Sequence, residues 1–358
     1  LWAVIAGLVG LFIVIFVAGW LFFLRPAPSL TTDLASPRIG QSGTTVAPPG
    51  GDAELPRQRV MLIDDDGQTL WKSPTDGPPL ETAYLPPGSQ IIIAIRWGEL
   101  FQHEDVVKLK NAISPLLTRG MELLDSGLDI PLGIKKPPFP SRILIGLQFD
   151  APGELSMTRV VYQNKDKVPW WNELKEVLAA HGTSDHGAHS YGIKGELAYY
   201  FPDSPRNDRV VVAPKTAITD ILDLGGEPPP LRRDMERLLA HTDADRLVTM
   251  VFTSNALFGE GSSISTNPLS RLRQSLFWFL GDEFSAASVS LHWDDDFYVE
   301  MIAVPILDTP PERAARILSH RWTEVPEKVG RYVASLRPHP YGSKVLARLP
   351  SMLRMMVA

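Results

Sequence analysis

Three histidines and one aspartate lie within a nine-residue segment whose side chains could ligate a metal ion. The segment covers 181–189, and its candidate ligands are His181, Asp185, His186 and His189. Imidazole nitrogens and carboxylate oxygens are ligands that Zn²⁺ takes in proteins. The spacing matches no motif that places two histidines on one face of a helix. Two glycines in the segment also add to the entropy cost of ordering a site. A metal-binding module and an exposed polar loop are both open interpretations.

Two runs of three aspartates, Asp64–Asp66 and Asp294–Asp296, raise the possibility of a Ca²⁺ site or of a general acid. An EF-hand loop needs acidic residues at alternate positions and Gly at the sixth. If Gly67 takes that sixth position, the first position is Leu62, which cannot ligate the ion. Aspartate side chains also hydrogen-bond their own backbone in turns. We therefore predict that both runs form hairpin turns.

Motifs that bind a cofactor or activate a nucleophile are missing from the sequence. Gly259–Ser263 lacks the lysine of a phosphate-binding loop and the third glycine of the dinucleotide fingerprint. The chain has no cysteine, which excludes disulfides and cysteine nucleophiles. The sequence thus predicts no cofactor, identifies no catalytic residue and favours a role other than catalysis. A hydrolase of the cell envelope remains an alternative, because carboxylates that only the tertiary structure brings together have no linear signature.

The first 24 residues, Leu1–Leu24, carry no charged side chain. A helix of that length is about 36 Å long, enough to cross a hydrocarbon core of ~30 Å. We therefore predict a single transmembrane helix at 1–25. Tryptophans near both ends suit the membrane interfaces, and small residues four apart allow close contact with a neighbouring helix. The residues expected to contact lipid or another helix are Trp2, Ala3, Ala6, Gly7, Gly10 and Trp20.

The segment 26–58 is rich in Pro, Gly, Ser and Thr, which predicts a flexible linker. Its only basic residues are Arg38 and Arg57, and Arg25 directly precedes it. Because basic flanks favour the cytoplasmic side, we expect the rest of the chain on the extracytoplasmic, periplasmic side of a bacterial cell membrane. The net charge of −6 argues against a nucleic-acid partner, which favours a basic surface.

The remaining sequence predicts an α+β fold. Apolar runs between turn residues predict strands at 91–95, 143–149, 155–162, 196–201, 210–213, 247–252, 288–293 and 297–304. Apolar residues at helical spacing predict helices at 106–124, 170–180, 216–224, 231–241, 269–280 and 312–320. Hairpins followed by helices favour mostly antiparallel sheets with helices on one face.

The order strand, helix, hairpin, helix occurs twice, at a separation of about 150 residues. This order suggests two repeated α+β halves, at 59–243 and 244–358, and sequence identity between them is slight. The second half ends in a predicted amphipathic helix. That helix carries an apolar stripe flanked by basic side chains, a pattern typical of contact with an anionic membrane or a partner helix.

Two groups of apolar side chains are candidate contacts with a partner protein. One is the aromatic pair in the helix predicted at 170–180, and the other is the stripe of the C-terminal helix. The candidate contact residues are Trp170, Trp171, Leu349, Leu353 and Met356. Packing within the chain's own core is the alternative for both groups.

The segments Tyr84–Ser89, Leu197–Pro202 and Asp208–Ala213 resemble uncharacterised membrane-anchored proteins of planctomycete-type bacteria. The resemblance implies an anchored extracytoplasmic domain and implies no catalytic residue. Together with the predicted anchor and linker, it favours a structural or accessory subunit that binds protein within a larger membrane or envelope complex. The bilayer and protein subunits of that complex are the expected partners.

Overall fold

The structure is a computed structural model, and it describes residues 73–100, 140–150, 154–163, 174–176, 182–203, 208–258, 277–293 and 297–335. The predicted transmembrane helix, the linker, the helix at 106–124 and the C-terminal amphipathic helix lie outside these ranges. No helix within the described ranges is long and apolar enough to cross a bilayer.

The described strands form one antiparallel sheet of ten strands. In chain order they are β1 (Ile91–Ile95), β2 (Arg142–Asp150), β3 (Glu154–Tyr162), β4 (Thr183–His186), β5 (His189–Lys194), β6 (Leu197–Tyr200), β7 (Arg209–Pro214), β8 (Val248–Thr253), β9 (Phe284–Trp293) and β10 (Phe297–Pro305). Their order across the sheet is β10-β9-β8-β1-β2-β3-β7-β6-β5-β4. The antiparallel α+β fold expected from the sequence is thus confirmed.

The helices described from end to end are α1 (Trp97–Leu100), α2 (Lys215–Asp223), α3 (Arg233–Ala240), α4 (Ser254–Phe258) and α5 (Pro311–Ser335), and residues 174–176 and 277–280 are also helical. A short 3-10 helix, Gly281–Glu283, precedes β9. The predicted helix at 312–320 is therefore too short, because α5 continues through Pro326 to Ser335. The predicted helices at 216–224 and 231–241 match α2 and α3 within two residues at each end.

Helices cover both faces of the sheet, so the expectation of helices on one face was wrong. Successive strand residues point to opposite faces, and every residue of β1 is buried. On the Ile92 face, which also carries Ala94, Leu144 and Val251, the core includes Met235 and Leu238 of α3. On the Ile93 face, which also carries Ile91, Ile145 and Met250, it includes Trp97 and Leu100 of α1 and Ala314 of α5. A strand with two covered faces needs an unbroken apolar run, and Ile91–Ile95 provides one.

Two units of the sheet share one arrangement, in which a central strand is followed in the chain by a hairpin that pairs with it. The first unit is β1 with the β2–β3 hairpin, and the second is β8 with the β9–β10 hairpin. The central strands lie side by side and antiparallel, with Ile93 opposite Met250. A half-turn about that pair relates the two units, so that β3 corresponds to β10.

Candidate protein-binding surface

The segment containing the candidate metal ligands is a hairpin rather than the loop considered from the sequence. β4 and β5 pair antiparallel, and His186 lies directly opposite His189. Gly187 between them has a φ of 58°, a left-handed conformation that glycine adopts without strain. A tight turn thus brings two of the predicted ligands onto one face of the hairpin.

Each of these histidines has a partner that the local sequence pattern did not indicate. His186 Nε2 lies 2.6 Å from Asp223 Oδ1 at the end of α2. His189 Nδ1 lies 3.1 Å from the hydroxyl of Tyr200 in β6, and the two rings pack edge to face. Burial, with smaller contributions from Tyr84 and Asp203, raises the pKa of Tyr200 to about 12. The hydroxyl therefore stays protonated and can donate to His189.

Asp185 is exposed and neighbours His186 in the strand, so the two side chains point to opposite faces. Within the described ranges, no three acidic or histidine side chains are close enough together to hold a metal ion. His181 lies outside those ranges. The metal site at His181, Asp185, His186 and His189 stays a prediction.

Exposed large apolar side chains are concentrated at the other end of the sheet. Among the described residues, all five lie within 277–322: Phe277, Val299, Ile306, Leu307 and Trp322. Val299 belongs to β10, and Ile306 and Leu307 follow it directly. Leu307 is fully exposed, and the other four are 36 to 45% exposed. Three of the five thus follow one strand and its continuation, and exposed apolar surface is typical of sites that bind proteins or membranes.

The two outermost strands differ in length and in chemistry. β4 is four residues long and entirely polar, with the sequence Thr-Ser-Asp-His. β10 is nine residues long and mostly apolar, and among the described strands only β9 pairs with it. A long apolar edge exposes unpaired backbone groups that can bind another strand, whereas short polar edges discourage such pairing. Only the β10 edge has the features of a binding site for an extended chain.

A buried arginine supports β10 from the Ile92 face. The Arg246 guanidinium lies 4.2 Å from the ring centroid of Tyr298 and 3.7 Å from a carboxylate oxygen of Glu300. It also donates a hydrogen bond to Ser73 at 2.8 Å and lies 3.9 Å from Asp243. One cation is thus shared between two carboxylates, so this group keeps a net negative charge.

A second arginine attaches α5 to the start of β9. Arg321 donates to both carboxylate oxygens of Glu283, at 3.0 and 2.9 Å, and to the carbonyls of Phe279 and Leu280. Burial disfavours the ionised form of Glu283 and is the largest single effect, but the hydrogen bonds from Arg321, a backbone hydrogen bond and the charges of Arg321 and Arg313 together lower the pKa. The same helix carries exposed Trp322, whose ring centroid lies 6.2 Å from that of Phe279. Arg321 thereby fixes the position of one exposed aromatic side chain.

The carboxylate of Asp243 holds the chain in place by accepting hydrogen bonds. Asp243 accepts hydrogen bonds from the backbone N–H groups of Gly77 and Asp245 and from the hydroxyl of Thr75. It thereby holds the segment that precedes β1. A general acid needs a raised pKa, whereas the pKa of Glu283 is lowered.

An open groove of about 550 Å³ separates the segment before β1 from α3. Its apolar lining includes Pro79, Leu80, Leu231 and Leu239, together with the prolines at 228–230. It lies on the Ile92 face, whose core contains Leu80 and Leu239.

The contact residues proposed from the sequence do not fall within the described part of the chain. Trp170, Trp171, Leu349, Leu353 and Met356 all lie outside it, as do Trp2, Ala3, Ala6, Gly7, Gly10 and Trp20. Sequence reasoning missed the β10 edge. The acidic run Asp294–Asp296 before it and Asp308 after it were the one available signal, because natural edge strands are often protected by charged side chains.

Comparison with known proteins adds no functional argument. No protein-family model matches the chain, and no curated protein matches it. The structure titled "Structure of crystal form IV of TP0453" aligns with a TM-score of 0.36 and 8% sequence identity, over 63% of this chain and 80% of that one. A likeness this weak supports no inference about fold or function.

Proposed function

We propose that this chain is a single-span, membrane-anchored extracytoplasmic protein that acts as an accessory, protein-binding subunit of a larger membrane or envelope complex. The observation that carries the proposal is the apolar edge at β10, with Val299, Ile306 and Leu307 exposed beside it. The uncharged run Leu1–Leu24 and the linker after it support anchoring of this surface near a bilayer.

Protein binding suits the surface better than catalysis does. No described strand pairs with the outer edge of β10, whose backbone groups and apolar side chains can bind extended chains or apolar surfaces. The described residues there include no nucleophile paired with a base, which most covalent catalysis requires. The supporting groups, Arg246 and Arg321, are held by hydrogen bonds and by neighbouring rings or carboxylates.

We also propose that the two units of the sheet are repeats of one ancestral element. The shared order of strands and the antiparallel contact between β1 and β8 support this origin. The first unit is extended by β4–β7, whereas no described strand extends the second unit. The outer edges of β3 and β10, equivalent in origin, would then serve different purposes. The edge of β3 is structural, because β7 pairs with it, and the edge of β10 binds a partner.

Site-specific photocrosslinking in native membranes tests the protein-binding role. A photoreactive amino acid replaces Leu307 in one full-length variant and exposed Thr183 of β4 in the control. We expect irradiation to link position 307, and not position 183, covalently to another protein. Gentle solubilisation and size separation of the unmodified chain should then show that protein migrating with it. A monomer without a crosslinked or co-migrating protein would contradict the proposal.

A further inference from the structure

The first unit of the sheet shows what covers an edge like that of β10. In that unit the outer strand β3 is paired with β7, from Arg159 opposite Val212 to Tyr162 opposite Arg209. The occupant is therefore an antiparallel strand, and it follows only the second half of β3. β7 reads Arg-Val-Val-Val-Ala-Pro, a short apolar run that begins with a basic residue.

The pairing registers transfer this position to β10. Ile93 lies opposite Met250, and the half-turn that relates the two units exchanges these residues. The same half-turn therefore relates Ile91 to Val248. The partners of these two residues in the hairpins are Leu147 and Leu291. Those in turn lie opposite Met157 and Val299.

Since Met157 and Val299 are equivalent, the segments that begin two residues after them are equivalent too. Arg159–Tyr162 of β3 thus corresponds to Met301–Val304 of β10. The edge segment of β10 equivalent to the β7 site is thus Met301–Val304, and Val299 lies just before it.

Burial differs between the equivalent positions in the way that a missing strand would produce. Val160 and Val161 of β3, which β7 pairs with, are 0 and 4% exposed and belong to the cores on the two faces. Their counterparts in β10, Ile302 and Ala303, are only partly buried. The second unit therefore leaves this apolar surface partly exposed, and among the described strands none pairs with the outer side of β10 as β7 does with β3.

Charge around β10 selects the class of occupant. The stretch 294–316 contains six acidic residues, Asp294, Asp295, Asp296, Glu300, Asp308 and Glu312, against two basic ones, Arg313 and Arg316 at its end. Arg246, the cation beside Glu300, is shared with Asp243. A second copy of this chain would bring the same acidic stretch against itself, and like charges across an interface are strongly unfavourable. Complementarity instead favours a basic strand.

We propose that β10 binds, by antiparallel strand addition along Met301–Val304, an extended segment of a partner protein that has a short apolar run flanked by Lys or Arg. This inference rests on the proposed protein-binding function and specifies the partner's chemistry. Backbone hydrogen bonds to the edge provide affinity, and the basic flanks provide selectivity and orientation.

The test measures peptide binding to the full-length protein in neutral detergent micelles by fluorescence anisotropy. The probe is the capped, fluorescent peptide Lys-Arg-Val-Val-Val-Ala-Lys, and its acidic match has Glu at each basic position. A third peptide carries N-methyl groups at alternate residues on the side that faces β10, which removes backbone donors. We expect one basic peptide to bind per chain, with affinity falling as salt rises. The acidic and N-methylated peptides should bind at least about tenfold more weakly.

Matched substitutions on the two edges place the site. Val299→Lys adds a cation at an exposed position of β10, and Thr183→Lys adds one at an exposed position of β4. We expect Val299→Lys to weaken binding of the basic peptide by about tenfold and Thr183→Lys to leave it within about twofold. Unchanged far-ultraviolet circular dichroism of both variants would exclude unfolding as the cause.

Four results would overturn the proposal: equal binding of the basic and acidic peptides, equal binding of the N-methylated peptide, no effect of Val299→Lys, or equal effects of the two substitutions. A dimer that Val299→Lys dissociates would assign the edge to a second copy and overturn it too. A further variant replaces Lys344, Arg348 and Arg354 by Gln. If the peptide binds only to this variant, the basic C-terminal segment of the same chain occupies the edge, and the proposal of a partner protein is overturned. Photocrosslinking at position 307 could still succeed in each case, which separates this inference from the proposed function.

Discussion

Ile93 of β1 lies directly opposite Met250 of β8, at the point about which the two units of the sheet are related. Both side chains belong to the core on the Ile93 face, while their neighbours Ile92 and Val251 belong to the core on the Ile92 face. The junction between the units is therefore buried on both sides. Substitutions at this junction should affect the whole sheet, whereas substitutions at the β10 edge should affect binding.

Ile92→Ala tests the importance of this junction for stability. Ile92 is fully buried between Gly146 and Val251 and packs in the same core as Met235 of α3. We expect the free energy of unfolding to fall by about 2 to 5 kcal/mol, because the substitution removes buried methyl groups and leaves a cavity. Urea denaturation of the full-length protein in micelles measures the change.

The control for Ile92→Ala is Leu307→Ala, which removes a fully exposed apolar side chain. Its effect on the free energy of unfolding should stay within about 0.5 kcal/mol. Similar losses for the two variants would contradict the assignment of the core.

The elements around this junction were predictable because their signals are local. The apolar run at 91–95 and the hairpins at 142–162 and 284–305 combine buried strands with turn residues, and the structure places strands there. The β4–β5 hairpin was not predicted, since Thr183–His186 is polar and lies at a sheet edge that needs no apolar face. Its conformation depends on pairing with β5.

The candidate surface depends on contacts that no sequence spacing encodes. The pairing of His186 with Asp223 joins residues 37 positions apart, through the packing of α2 against the sheet. The open edge of β10 depends on strand order, in which β7 pairs with β3 and no described strand pairs with the outer side of β10. Strand order is set by the whole set of pairings, so the sequence could indicate that a strand exists but not whether it lies at an edge.

Asp243→Ala should loosen the segment that leads into β1. The carboxylate accepts two backbone N–H groups and the hydroxyl of Thr75, and hydrogen bonds to a charged group are among the stronger ones. We expect a loss of about 2 to 4 kcal/mol in the free energy of unfolding. Hydrogen exchange at 73–80 should accelerate more than exchange in β1.

Asp220→Ala is the matched control for Asp243→Ala, since Asp220 is an exposed aspartate on α2. It should change neither stability nor exchange measurably. Unchanged protection at 73–80 in the Asp243 variant would show that the carboxylate does not hold the segment.

Glu283→Gln should change the pH dependence of stability. The folded pKa of Glu283 is lowered: burial raises it, but the hydrogen bonds from Arg321 and the backbone and the charges of Arg321 and Arg313 together outweigh burial. A lowered pKa in the folded state means that the ion pair stabilises the protein above the unfolded pKa of about 4.3. This stability is lost as the pH falls through the folded value. We therefore expect the variant to be less stable than the unmodified protein at neutral pH.

Chemical denaturation of both proteins at neutral pH and in acid measures the Glu283 effect. The difference in the free energy of unfolding should shrink as the pH falls below about 4. Arg331→Gln breaks an exposed pair with Glu327 and serves as the control, with little effect at either pH. A difference for Glu283→Gln that stays constant with pH would refute ionisation as its cause.

The predicted membrane anchor requires that Leu1–Leu24 stay in the hydrocarbon core. We expect the full-length protein to remain in the membrane pellet after extraction with alkaline carbonate. Ile13→Arg places a charge near the centre of the run, where insertion costs about 2.5 to 3.5 kcal/mol, and should release a substantial fraction. Thr44→Arg adds the same charge in the linker and should release none.

Complete extraction of the unmodified protein would refute the anchor. Binding of basic peptides at β10 would be unaffected by that result, because it depends on the sheet edge alone.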